Sequence, residues 1–238
     1  MKRRGLKLSC ILTTHSHFDH AGGNKDLLKR VPSISVVYGG KNDKVPECTK
    51  EVEEGDTFNI GKNLSVSVMY TPCHTPGHVC YVVKASDCAP SVFTGDALFV
   101  SGCGNFNTGT PAQMASAFER LGKLPMNTLV WAGHEYTVSN LAYACFVEPE
   151  SKILRAKTEW AKSQLTSKAF TVPSTIQEEH EMNPFMRAVY GVDVLVKHCG
   201  TDNPVRAIKF VREEKSSGSW KMTKLNPLPT TFVRVSPI

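Results

Sequence analysis

The chain has 238 residues, which suits one large domain or a domain with an appendage. At 41% hydrophobic and 21% charged it has an ordinary globular composition, and no apolar run nears the roughly 20 residues that cross a bilayer. Its formal charge of +6 is scattered, with no basic stripe interleaved with aromatics, so neither nucleic acid nor membrane is an expected partner and a small anionic substrate fits better.

The start, Met1-Lys2-Arg3-Arg4, is basic, but the only apolar run behind it is a candidate strand, so no signal or transit peptide is expected. The eight cysteines contain no Cys-x-x-Cys pair and read as reduced, mostly buried thiols, with Cys73 and Cys103 as small packing residues. A monomer in the cytoplasm follows, with a mitochondrial location as the alternative.

Residues 7–13 form a candidate strand, 24–30 a short helix and 34–38 a second strand ending at Gly39-Gly40. Residues 41–54 are polar and irregular. Two strands, 56–60 and 64–70, make a hairpin, the second alternating Leu64, Val66, Val68 and Tyr70 with Ser65, Ser67 and Met69. Strands at 79–83 and 91–94 come next, the latter ending directly at Gly95-Asp96. Thr110-Pro111-Ala112-Gln113 opens a helix with a capping box, and Met114, Phe118 and Leu121 follow at helical spacing. A strand at 128–131 runs into Gly133-His134-Glu135-Tyr136.

From about Ser139 helical patterns take over: 139–146, then 149–165 with Ile153, Trp160 and Ala161 on one face. Ser174-Thr175-Ile176-Gln177 is a second capping box, and Asn183-Pro184 ends the helix it begins. Asn203-Pro204 starts a last helix with Val205, Ile208 and Val211 inward, and the chain from Glu213 on is expected to be poorly ordered. The division is therefore an α/β domain over 1–138 and a helical domain over 139–238, with a loose tail from about 216.

The chemistry concentrates in Thr14-His15-Ser16-His17-Phe18-Asp19-His20, three histidines and a carboxylate within six positions after a strand. Imidazole and carboxylate are the ligands that zinc, iron and manganese share. Three later strand ends carry His74, Asp96 and His134, and side chains at strand ends converge on one rim of a sheet. Five imidazoles and two carboxylates exceed the needs of one metal and suit two. His15, His17 and His74 are assigned to one metal, Asp19, His20 and His134 to the other, with Asp96 between; His78 is left for support by hydrogen bonding. Two metals turn a water between them into hydroxide near neutral pH, so no side-chain base is needed, and the chain has no Gly-x-Ser-x-Gly nucleophile pattern. Asp19 and Asp96 count as catalytic as well as ligating, the nucleophile being the metal-bound hydroxide.

These motifs make the chain resemble the metallo-β-lactamase superfamily, whose His-x-His-x-Asp-His signature stands at His15 to His20. More narrowly it resembles the glyoxalase II (hydroxyacylglutathione hydrolase) family. Thr71-Pro72-Cys73-His74-Thr75, Phe93-Thr94-Gly95-Asp96, Gly133-His134-Glu135-Tyr136-Thr137, Val172-Pro173-Ser174-Thr175 and Asn183-Pro184-Phe185-Met186-Arg187 carry the likeness. The resemblance implies an α/β (α+β) fold, an αββα sandwich with a helical C-terminal domain. It also implies two divalent metals, zinc first with iron or manganese as alternatives, and hydrolysis of S-D-lactoylglutathione to glutathione and D-lactate.

The resemblance further implies that Tyr136, Arg212 and Lys215 hold the glutathione. Read from the residues alone, the last two are a solvated helix end. Where the family has Lys and Tyr after Gly-Cys-Gly, this chain has Asn105 and Asn107, which implies weaker glutathione binding or another acyl-thiol. Family members also place several strands ahead of the His cluster, whereas Met1 to Thr14 precede it here, so an N-terminally shortened sandwich with an exposed apolar edge is expected. The rival readings are a single-iron persulfide dioxygenase and a weakly active or inactive paralogue kept as a binding module.

Overall fold

The structure, a computed structural model, describes residues 7–222. Strand β1 (Cys10–Leu12) leads into the short helix α1 (Phe18–Ala21), helix α2 (Asn24–Arg30), and strands β2 (Val36–Gly40) and β3 (Lys50–Val52). A meander follows: β4 (Thr57–Ile60), β5 (Leu64–Tyr70), β6 (Val79–Lys84) and β7 (Ser91–Gly95). After the ribbon β8 (Leu98–Phe99) and β9 (Gly102–Cys103), helix α3 (Pro111–Leu121) crosses to β10 (Leu129–Ala132). The rest is helical apart from β11: α4 (Thr137–Val147), α5 (Lys152–Thr166), β11 (Ser174–Thr175), α6 (Ile176–Met182), α7 (Pro184–Val189), α8 (Asp193–Cys199), α9 (Pro204–Ser217) and a 3-10 turn, Ser219–Met222.

Among the described residues the strands form a parallel sheet, β1-β2-β3, a mixed sheet ordered β11-β10-β7-β6-β5-β4, and the β8-β9 ribbon. Strand β6 shows why the two larger sheets stack. Its Val79 and Tyr81 join Val66 and Val68 in a core shared with Val52, Leu12 and Tyr38 of the parallel sheet. Its Cys80 and Val82 face the other way, into a core with Phe118, Leu121, Phe185 and Ile208 of the helices. Period-2 alternation thus gives one strand two apolar faces, each covered by a different layer. That is the α/β sandwich the motifs imply. The Tyr81 hydroxyl also donates to the Thr13 carbonyl at 3.0 Å, tying the sheets together next to His15.

Helix α3 starts as its sequence dictates. Thr110 Oγ1 accepts the Gln113 N–H at 3.3 Å and Gln113 Oε1 accepts the Thr110 N–H at 2.8 Å, a cap worth about 1 kcal/mol. Met114, Phe118 and Leu121 are fully buried, as their spacing predicts.

Several expectations need correction. Residues 41–54 are not wholly irregular, since β3 pairs there with β2. The second capping box is one residue later, Thr175 with Glu178, because the Ser174 hydroxyl is spent on Glu179 at 2.5 Å. The buried stripe of α5 is Leu154, Thr158 and Ala161, whereas Ile153 and Trp160 are exposed. In α9 the inward residues are Ala207, Ile208 and Val211, and Val205 is exposed. The chain does not lose order at Glu213 or 216, because α9 runs to Ser217 and the 3-10 turn packs Trp220 against Tyr143 and Phe146. The proline-rich stretch beyond lies outside the described residues. At the other end, β1 pairs with β2 alone among the described residues, and its three residues are half-buried.

Candidate metal centre

Four strand ends deliver the seven expected donors to one rim. His15 and His17 follow β1, Asp19 and His20 sit on α1, His74 lies between β5 and β6, Asp96 follows β7, and His134 follows β10. His17 Nδ1 is 3.2 Å from His15 Nε2 and 3.1 Å from His74 Nε2. His134 Nε2 is 3.1 Å from His20 Nε2 and 3.3 Å from Asp19 Oδ2. Asp96 stands between the groups, with Oδ2 3.2 Å from His74 Nε2 and Oδ1 3.3 Å from His20 Nε2. The donor atoms of each triplet, His15/His17/His74 and Asp19/His20/His134, lie within 4.8 Å of one another.

Two features show that these donors fit cations. The Asn105 carbonyl, which can only accept, lies 3.0 Å from His74 Nδ1. That nitrogen therefore carries the proton, and Nε2 turns a lone pair toward His17 and Asp96. Asp96 Oδ1 is buried without any hydrogen bond, a state that costs about 1–3 kcal/mol or more unless a positive partner is supplied. The donor set, imidazole nitrogen with carboxylate oxygen, suits divalent zinc, iron or manganese.

The electrostatics favour the ligand form at His15 and His20, whereas at His74 burial is outweighed by Asp96 and the Asn105 carbonyl, which hold it above its ordinary value. Burial and the surrounding imidazoles push His15 down to about 2, so it is neutral at working pH. Burial lowers His20 as well, against the pull of Asp96 and Asp19. For Asp96, burial favours the acid, but His74, His20 and His134 outweigh it and hold the carboxyl below its usual range. His78 is fully buried and kept neutral by burial; its Nε2 accepts the Asp96 N–H at 3.2 Å and its Nδ1 pairs with Thr71 Oγ1 at 2.8 Å. It thus serves the centre through hydrogen bonds. Gly133 is required by closeness, since a Cβ there would fall 2.6 Å from Asp96 Oδ1 and 2.7 Å from His20 Cε1.

Two family profiles divide the chain: residues 2–134 match the metallo-beta-lactamase superfamily and residues 135–218 match the hydroxyacylglutathione hydrolase C-terminus. A cytoplasmic hydroxyacylglutathione hydrolase of Arabidopsis thaliana is 44% identical over 216 residues, 90% of this chain and 83% of that protein. A hydroxyacylglutathione hydrolase-like protein of Gallus gallus is 38% identical over 236 residues, 98% of this chain and 81% of that one. The crystal structure of ETHE1 from Myxococcus xanthus superposes with a TM-score of 0.55 at 25% identity, covering 91% of this chain and 80% of the other. The chain belongs to the hydroxyacylglutathione hydrolase family of the metallo-β-lactamase superfamily.

Of the residues that the family resemblance points to for substrate, Tyr136 and Asn107 touch this centre. The Tyr136 ring stacks on His134, centroids 4.9 Å apart, and meets the edge of Phe99 at 5.2 Å, leaving the side chain half exposed. A recess of about 490 Å³ opens between the segment after β9 and helix α9, lined by Asn105, Phe106, Lys209, Arg212 and Glu213, the last within 3.8 Å of Lys209. Asn107 is exposed, with Nδ2 3.4 Å from His74 Nδ1.

Arg212 and Lys215 are not a solvated helix end. Arg212 donates to the Cys103 carbonyl at 2.8 Å and to Ser216 Oγ at 3.1 Å, and its guanidinium lies 5.3 Å from the Phe185 ring. Lys215 donates to Asn140 Oδ1 and lies over Phe185 and Tyr143. No carboxylate pairs with either among the described residues; the neighbouring Glu214 turns to Tyr143 and His198 at 2.7 and 2.8 Å. Burial, with the Arg212 charge beside it, pulls the Lys215 amine down to about 7. Cations sheltered from water without a counter-charge favour binding of an anion.

Asp43 gave no signal in the sequence, being one acid in a polar stretch. In the fold it is 3% exposed, and its two oxygens accept the N–H groups of Ser16 and Gly77.

Proposed function

We propose that the protein hydrolyses S-D-lactoylglutathione to glutathione and D-lactate, water adding across the C–S bond with hydroxyl to the acyl carbon and the proton to sulfur. The observation that carries this reading is Asp96, an anionic carboxylate whose Oδ2 faces His74 and His134 and whose Oδ1 faces His20. His15, His17 and His74 would hold one divalent cation and Asp19, His20 and His134 the other, with Asp96 shared. Zinc is the first assignment and iron or manganese the alternatives. Bound there, the two cations supply an activated water at neutral pH and Lewis-acid polarisation of the thioester carbonyl.

The side chains do the rest. Arg212 and Lys215 offer positive charge to the glutathione carboxylates, Asn105 offers a neutral amide at the recess that Arg212 lines, and Tyr136 presents its hydroxyl beside His134. Glutathione leaves as a thiolate with a pKa of about 8.5–9, so no strong general acid is needed. No helix among the described residues is long and apolar enough to cross a membrane, and a cytoplasmic site of action is the reading that accompanies this substrate.

Following free-thiol release from S-D-lactoylglutathione by the metal-loaded protein, with His74→Ala as control, tests the proposal. Release that the substitution abolishes is expected; a folded, metal-loaded protein that releases no thiol overturns it.

A further inference from the structure

The two loops that carry His15, His17 and His74 come from different sheets, and one side chain joins them. Asp43 sits in the loop between β2 and β3, is 3% exposed, and makes no ion pair among the described residues. Its Oδ2 accepts the Ser16 N–H at 2.6 Å and its Oδ1 accepts the Gly77 N–H at 3.1 Å. Ser16 lies between His15 and His17, and Gly77 lies three residues after His74. A buried carboxylate is costly unless hydrogen bonds replace its water. Here both oxygens are committed to the backbone of the ligand loops.

The surroundings hold this clamp in place. The peptide joining Pro76 to Gly77 is gripped from both ends, since the Tyr70 hydroxyl donates to the Pro76 carbonyl at 2.6 Å while Asp43 takes the Gly77 N–H. A Cβ on Gly77 would fall 2.4 Å from the Lys41 carbonyl oxygen and 2.5 Å from the Asp43 nitrogen, so backbone meets backbone there. Asn24 of α2 donates to the Pro46 carbonyl at 3.1 Å, anchoring the far side of the loop that carries Asp43.

We propose that Asp43 is a positioning residue that sets the separation of His15 and His17 from His74, and so the affinity for one of the two cations. The proposal rests on the two-metal reading above. It places Asp43 first on the His15/His17/His74 triplet, because its two bonds fall on Ser16 and Gly77, whereas Asp19 and His20 lie further along on α1 and His134 follows β10. Asp43→Asn is nearly isosteric and keeps one acceptor, but it turns an amide N–H toward one of the two backbone N–H groups.

Titration of the metal-free protein with Co²⁺, read by visible absorption, tests it alongside melting of the metal-free forms. The wild type is expected to take up two cations. Asp43→Asn is expected to bind one as tightly as the wild type and the other about 10–100-fold more weakly, the scale seen when groups supporting metal ligands are lost. Melting of the metal-free variant within a few degrees of the wild type completes the expected result. Two cations bound with wild-type affinity, both weakened alike, or collapse of the metal-free variant would each overturn the assignment. Fewer than two cations in the wild type would instead overturn the two-metal reading and this proposal with it.

Discussion

His74 Nε2 stands 3.2 Å from Asp96 Oδ2, a contact that ties Asp96 to the His15/His17/His74 group. The other oxygen of Asp96 faces His20 and has no hydrogen bond. Asp96→Asn keeps the shape but removes the charge and half the acceptor capacity. It is expected to lose at least one equivalent of bound metal and to lower kcat/KM about 100-fold or more, the scale of losing a preorganised electrostatic contact. Metal analysis of the purified variant and thiol-release kinetics check both outcomes.

Gly133 tests the packing of the same centre. A methyl group there would fall 2.6 Å from Asp96 Oδ1, so Gly133→Ala must push Asp96, His20 or the Gly95 carbonyl aside. Overpacking of this kind costs about 1–3 kcal/mol. The expected result is lost activity and weakened metal binding with only a modest fall in melting temperature, measured on metal-free and loaded samples.

How much of this was legible beforehand differs between residues for physical reasons. The seven donors could be read because each follows an apolar strand, and strand ends share a rim whatever the order of the strands. The boundaries of α3 were legible because Thr110, Pro111 and Gln113 act within one turn. Strand β3 was not, since Lys50 and Glu51 are exposed and only Val52 is buried. Helix α5 carries apolar residues on two neighbouring stripes, and tertiary packing chose Leu154 and Ala161 over Ile153 and Trp160. Arg212 and Lys215 look solvated in sequence because nothing local reveals that Phe185 and Tyr143 will cover them. Asp43 was invisible for a similar reason: its partners lie 27 and 34 residues away and are backbone groups, which any residue could supply.

Lys215 predicts a pH dependence. Its amine is pulled down to about 7 by burial and by Arg212, so in the substrate-free protein it loses its charge above that pH. Binding an anionic glutathione group then requires the proton back. KM for the thioester is expected to rise through pH 7–9 by up to about tenfold per unit, with kcat little changed, and Lys215→Met should flatten the profile. The stability effect has the opposite sense: between about 7 and the unfolded value near 10.4 the unfolded chain holds more protons. This group's contribution to stability therefore rises with pH across that window.

Asn105 offers a gain-of-function test. It lines the recess beside Arg212 and carries no charge where the family resemblance leads one to expect lysine. Asn105→Lys is expected to lower KM for S-D-lactoylglutathione about tenfold or more, since a charge-assisted contact to a carboxylate is worth about 1.5–3 kcal/mol. An unchanged KM in steady-state assays would place the glutathione elsewhere.

On the proposed reading, seven side chains from four strand ends form one two-metal thioesterase centre. Adding Zn²⁺ stepwise to the metal-free protein, while following thiol release from S-D-lactoylglutathione, tests it most directly. The rate should climb until two equivalents are bound and then level off, with His74→Ala remaining inactive throughout. Full activity after a single equivalent, or no thiol release with two equivalents bound, would contradict it.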